Sequence, residues 1–178
     1  VDHFQLDLQS AGLAAGSFGL LALFARALGG IVSDRVAHTK GLDARTSLLF
    51  VLMLGEGLGL LWFARSDTTS LAVIAMIVFG MFTHMACGAT YALVPFIDRK
   101  ALGGVAGIIG AGGNVGAVLA GFLLKAVADV QQCFSILGGI VVAGSVCAIA
   151  VRFSAEHKAT EEELYLRALA DRGIVPAE

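Results

Sequence analysis

Five long apolar runs divide the chain, covering about residues 10–32, 46–64, 70–94, 101–124 and 132–151. Arg26 is the only charge in the first and Glu56 the only one in the second. The third holds His84, Cys87 and Tyr91 as its only titratable groups, and the last two carry no charge. A helix of about 20 apolar residues crosses the hydrocarbon core of a bilayer. The pattern therefore predicts an all-α membrane protein, with five transmembrane helices within residues 1–152 and a polar tail over 153–178.

The charges collect in the short links. Asp34, Arg35, His38, Lys40, Asp43 and Arg45 fall in the first, Arg65 and Asp67 in the second. Asp98, Arg99 and Lys100 fall in the third, Lys125 and Asp129 in the fourth. With five spans the links alternate sides, and basic residues mark the cytoplasmic one. One side holds Arg35, Lys40, Arg45, Arg99, Lys100 and Arg152, with Lys158, Arg167 and Arg172 in the tail; the other holds only Arg65 and Lys125. Residues 1–9 are then expected outside and the tail in the cytoplasm. Within the tail, Thr160 and Glu163 have capping-box spacing, which predicts a helix starting there, ending near Arg172 and stopped by Gly173. The tail reads as a solvated extension with no function of its own.

Composition agrees with the pattern. Hydrophobic residues make up 57% and charged residues 15%, against about 25% charged in soluble domains. Cys87, Cys133 and Cys147 are far apart and form no metal-ligand spacing. Each lies in an apolar run and reads as a small buried thiol. The chain begins at Val1 without a signal peptide, so it is expected to be part of a longer protein.

One stretch invites a different reading. "GIIGAGGNVGAVLAG" (107–121) has glycine spacing like that of a dinucleotide-binding turn, and Asp129 lies 19 residues after Gly110. Such a turn needs a strand before it, a helix after it and repeated βαβ units with polar helix faces. The flanking segments are uniformly apolar, so an NAD(P)-binding enzyme is the weaker alternative. In a membrane the same glycines form rows four apart, Gly112–Gly116–Ala120 and Gly113–Ala117–Gly121. Such rows let helix backbones approach closely. Asn114 sits among them with an amide that lipid cannot satisfy, so it must face protein or a water-filled cavity.

Arg26 is the position hardest to reconcile with lipid. It lies eight residues before Asp34, about 12 Å deeper and close to the midplane. A guanidinium there costs at least about 2.5–3.5 kcal/mol, so pairing or function is expected. Two readings stand side by side: a structural pair with Glu56 at similar depth, or a planar fork that grips a planar oxyanion through two hydrogen bonds. Glu56, flanked by Gly55 and Gly57, reads as structural or as a coupling group. His84 reads as a hydrogen-bonded packing residue or a proton relay. Tyr91, Thr90 and Ser17 read as interhelical hydrogen-bonders or path-lining groups. "GGIVSDR" (29–35) closes the first span, with Gly30 one turn before Asp34. An Asp at its own helix C-terminus gains by facing the positive N-terminus of a neighbour. Gly30, Asp34 and Arg35 are thus candidates for a gating loop.

Taken together, "GSFGLLALFARALGGIVSDR", "GATYALVPFIDRKALG" and "GIIGAGGNVGAV" resemble the nitrate/nitrite porter family of the major facilitator superfamily, up to about residue 150. The resemblance implies helices eight to twelve of a twelve-helix secondary transporter in the cytoplasmic membrane, partnered by an N-terminal half. It implies transport of nitrate, nitrite or both, with no enzymatic activity, cofactor, metal or nucleic-acid partner. Another small anion in the same superfamily is the alternative. Arg26 matches one of two arginines that clamp the anion in that family. Gly107, Gly110, Gly112, Gly113, Asn114 and Gly116 match its glycine-rich signature, expected to pack beside the substrate path. The dinucleotide alternative is tested by washing membranes with alkaline carbonate. The chain is expected to stay in the pellet and to require detergent; release into the aqueous phase would overturn the membrane assignment.

Overall fold

The computed structural model describes residues 7–173 and contains, among them, six helices and no strand. They are α1 (Leu8–Lys40), α2 (Asp43–Ala64), α3 (Thr69–Ile97), α4 (Leu102–Ala126), α5 (Val130–Ala150) and α6 (Ala155–Asp171). The first five are each long and apolar enough to cross a membrane. With no water in the bilayer core, every backbone polar group must be satisfied internally, and a helix does so within one segment. The expected location of residues 1–6 lies outside the described residues.

The helix ends follow local chemistry. Asp7 caps α1 by accepting the Ser10 N–H at 2.7 Å, and this bond holds its carboxyl below the ordinary value. Thr68 and Asp129 cap α3 and α5 in the same way. Two ends differ from the sequence expectation. First, α1 does not stop at "GGIVSDR" but runs on to Lys40, so Gly30, Asp34 and Arg35 are helical and not in a loop. No breaker intervenes until Gly41, whose φ of 79° places it in the left-handed region. Second, the tail helix begins at Ala155 and not at Thr160. Ser154 supplies the cap, accepting the His157 N–H at 3.2 Å. Thr160 sits inside the helix and donates to the Glu156 carbonyl at 3.0 Å, while Glu163 pairs with Arg167. Gly173 follows the helix with φ 66°.

Packing is uneven. α2 lies against α5 and α3, and α1 lies against α3; α4 touches only the edges of α3 and α5 and buries no residue. Leu52 of α2 and Ala86 and Ala89 of α3 form the core, with Met53, Phe82 and Met85 around them. Close approach depends on glycines that the rows on α4 did not single out. A Cβ on Gly57 would stand 2.6 Å from Val142 Cγ2 and 3.0 Å from the Gly138 carbonyl oxygen. A Cβ on Gly138 would stand 3.1 Å from the Gly57 oxygen. The α2–α5 seam is thus closed backbone to backbone.

One end of the bundle is strapped by α6. Lys158 pairs with Asp43 at the start of α2, and Glu161 pairs with Arg99 beyond α3. His157 Nε2–H donates to the Phe96 carbonyl at 2.9 Å. Tyr165 meets His38 near the end of α1, edge to face and by hydrogen bond. The Glu161 bond pushes the Arg99 guanidinium up from its ordinary value.

Gly57→Val overpacks the α2–α5 seam and is expected to destabilise the bundle by about 1–3 kcal/mol. Thermal unfolding in detergent checks this, with Gly144→Ala, where a Cβ meets open space, as the neutral reference.

Candidate functional site

Three helices bring their mid-length residues around one open cavity of about 410 Å³. Arg26 comes from α1, Cys87, Thr90 and Tyr91 from α3, and Ile109, Gly110, Gly113 and Asn114 from α4. Helical spacing explains each set. Residues 87, 90 and 91 share one face of α3, and 109, 110, 113 and 114 share one face of α4. Arg26 is exposed on the bundle and forms no ion pair among the described residues. Among the described residues, no acid lines the cavity. Its wall therefore offers one cation, a phenol, an amide and a hydroxyl. The Thr90 hydroxyl donates to the Ala86 carbonyl at 2.8 Å, so toward the cavity it presents oxygen lone pairs. Tyr91 Oη lies 3.7 Å from where a Cβ on Gly110 would stand, an ordinary contact distance that places the phenol beside α4.

The sequence candidates separate accordingly. Arg26, Tyr91, Gly110, Gly113 and Asn114 meet in the cavity, and Thr90 joins them. Gly107, Gly112 and Gly116 do not line it, and a Cβ on any of them meets nothing within 4 Å. Gly112 lies about 200° around the helix from Asn114 at 100° per residue, which turns it and Gly116 away. Cys87 and Ile109 were not foreseen as lining residues; the helical offsets from Tyr91 and Gly113 were the available signal.

Glu56 is half-buried on α2 beside the Thr83 hydroxyl, and the Arg26–Glu56 pair is not formed. His84 is buried, and its Nε2 stands 3.1 Å from the Phe18 carbonyl, to which it donates. Ser17 donates to the Ala14 carbonyl within its own helix at 2.7 Å. The three thiols divide: Cys133 is buried, Cys87 is half-buried in the cavity wall, and Cys147 is exposed. The expectation that all three are buried fails at Cys147, because an apolar run in a membrane also supplies the face turned to lipid.

A second polar cluster lies near the α6 end. Arg45, only 6% exposed, donates from Nη1 to Asp34 Oδ1 at 2.7 Å and to Ser33 Oγ at 3.0 Å. Its guanidinium carbon stands 4.5 Å over the Phe96 ring, a geometry that attracts a cation to the ring face. Its Nε is buried without a partner. Asp34 thus meets a charge on the first turn of α2, and Arg35 stays exposed. In the sequence Arg45 is one of several link charges. Only the fold shows that the prolonged α1 and the start of α2 enclose it.

The family model of the Major Facilitator Superfamily matches residues 1–173. "High affinity nitrate transporter 2.5" of Arabidopsis thaliana is 35% identical over 176 residues, covering 93% of this chain and 35% of that protein. "Nitrate transporter 2.1" of Chlamydomonas reinhardtii is 40% identical over 119 residues, covering 66% and 22%. "Nitrate/nitrite transporter NrtP" of Nostoc punctiforme is 31% identical over 153 residues, covering 84% and 29%. The chain spans about a third or less of the length of these curated relatives. No solved structure matches it.

Asp34→Ala leaves the buried Arg45 charge without its carboxylate. A loss on the order of 1–3 kcal/mol is expected, read as a lower midpoint of thermal unfolding in detergent.

Proposed function

The chain belongs to the Major Facilitator Superfamily, and on that premise we propose that residues 1–152 are the C-terminal helices of a secondary transporter for nitrate, nitrite or both. The longer protein, in which this bundle faces an N-terminal half, carries the activity. The movement is alternating access across the cytoplasmic membrane. The α6 end and the tail over 153–178 face the cytoplasm, as the basic links favour.

One observation carries the reading. Arg26 stands near the middle of a membrane helix, in a cavity wall with no carboxylate to neutralise it. An unpaired cation at that depth is costly, and a small anion entering the cavity supplies the missing charge. The guanidinium fork matches a planar oxyanion edge on, through two parallel hydrogen bonds. The Tyr91 hydroxyl and the Asn114 amide can donate to its remaining oxygens. The names of the relatives, all nitrate or nitrate/nitrite transporters, point to the same class of anion.

Other candidates take supporting roles. Gly112 and Gly116 leave a side-chain-free patch on the face of α4 turned from Asn114, suited to close passage of the opposing half during rocking, while Gly107 lies on the Asn114 side and keeps that face open beside the substrate path. The Ser33–Asp34–Arg45 cluster joins α1 to α2 near the cytoplasm, and with Gly30 it serves as the gate element that holds one state. Glu56 and His84 act as structural hydrogen-bonding groups within the bundle.

Arg26→Lys keeps the charge and loses the fork. In the full-length protein it is expected to cut labelled-nitrate uptake by about 10- to 100-fold, with the amount of protein in the membrane unchanged. Uptake close to wild type would overturn the assignment. A competition panel separates substrates: nitrite should compete with nitrate, and stronger competition by a small carboxylate would indicate another anion.

A further inference from the structure

The cation in the cavity is mounted on a backbone that presses against another backbone. Gly88 lies on α3 between the cavity residues Cys87 and Thr90. A Cβ at Gly88 would stand 1.9 Å from the carbonyl oxygen of Arg26 itself and 3.1 Å from the Gly30 nitrogen. From the other side, a Cβ at Gly29 would stand 2.1 Å from the Met85 carbonyl oxygen. Neither obstacle is a flexible side-chain end, so neither helix can yield locally. α1 and α3 therefore touch main chain to main chain at the level of Arg26.

The same seam is tied a second time, toward the start of α1. His84 Nε2–H donates to the Phe18 carbonyl at 3.1 Å. The Phe18 ring lies over Gly80, where a Cβ would come within 2.7 Å of Cδ2. The first contact fixes how near α1 stands to α3, and the hydrogen bond fixes how far α1 can slide along it. α3 also carries Tyr91. The separation of the two backbones that carry the guanidinium and the phenol is thus set by helices in direct contact, with no intervening side chain to adjust.

We propose that Gly88 and Gly29 are positioning residues for anion transport, with His84 as their partner in the same seam. They act through Arg26, holding the backbone that carries it at the spacing from the Tyr91 helix at which an anion is gripped. The inference rests on the reading of Arg26 as the anion ligand. A methyl group at Gly88 must push α1 outward, and a displacement near 1 Å is enough to weaken an oriented two-point contact.

The test is initial-rate uptake of labelled nitrate by the full-length protein in proteoliposomes. Gly88→Ala and Gly29→Ala are compared with wild type and with Gly139→Ala, where a Cβ meets open space. The expected result is a rise in nitrate KM of about tenfold or more, larger than any fall in maximal rate per mole of protein. The ratio of nitrate to nitrite KM should shift as well, while Gly139→Ala leaves both unchanged. A merely structural role predicts fewer active molecules with both KM values unaltered, and that result would overturn the proposal. His84→Ala adds no bulk and decides the matter if the glycine variants fail to reach the membrane. A raised KM supports the seam, and an unchanged KM rejects it. Absence of nitrate and nitrite uptake by the wild-type protein would instead reject the underlying transport reading.

Discussion

Contact distance between helices is the constraint on which this bundle depends. Lipid tails are as apolar as leucine, so no hydrophobic force draws membrane helices together once inserted, and packing contacts do that work. Here the contacts are made where a side chain is missing. Gly57 and Gly138 close α2 on α5, and Gly29 and Gly88 close α1 on α3. The apolar core of Leu52, Ala86 and Ala89 lies between these seams and joins α2 to α3. α4 has no such seam, and it buries none of its residues within the chain.

The two arginines nearest the bundle show opposite solutions to one electrostatic problem. Arg45 is enclosed, and it is matched by Asp34, Ser33 and the face of Phe96. Arg26 is unmatched and looks into a cavity. A paired charge stabilises one arrangement of helices, whereas on the function proposed above the unpaired one is stabilised by the arriving anion. Depth along α1 separates the two uses. The partners of Arg45 sit where the helix is already leaving the apolar run, and Arg26 sits inside it.

Much of this was legible in the sequence, and the exceptions have physical causes. The five spans are readable because an apolar run of that length has few other uses. Arg26 and Asn114 are readable because lipid makes a polar group conspicuous. Tyr91 could be suspected, but only the register of α3 against α4 brings it to Gly110. The glycines were harder. A row such as Gly112–Gly116 states that a face is smooth without stating what lies on it, while Gly57 and Gly88 sit in no conspicuous row. At the end of α1 the charged residues have the look of a loop, although nothing before Gly41 stops a helix. Thr160–Glu163 has the spacing of a cap, but Ser154 reaches the free N–H groups first, and the tail helix starts there. Arg45 was hidden among link charges, since burial at a helix start leaves no trace in composition.

The tail helix has a consequence for motion. α6 is fixed to α1 through Tyr165, to α2 through Lys158, and to the end of α3 through His157 and Glu161. Exposed ion pairs of this kind are individually weak. Three attachments on three different helices nevertheless define a plane, and a rigid rod laid across it works as a splint. An end of α1, α2 or α3 that tilts alone loosens its bond to α6, whereas a joint tilt need not. Such links would favour joint over separate tilting of these three ends, whereas α4 makes no side-chain bond to α6 among the described residues.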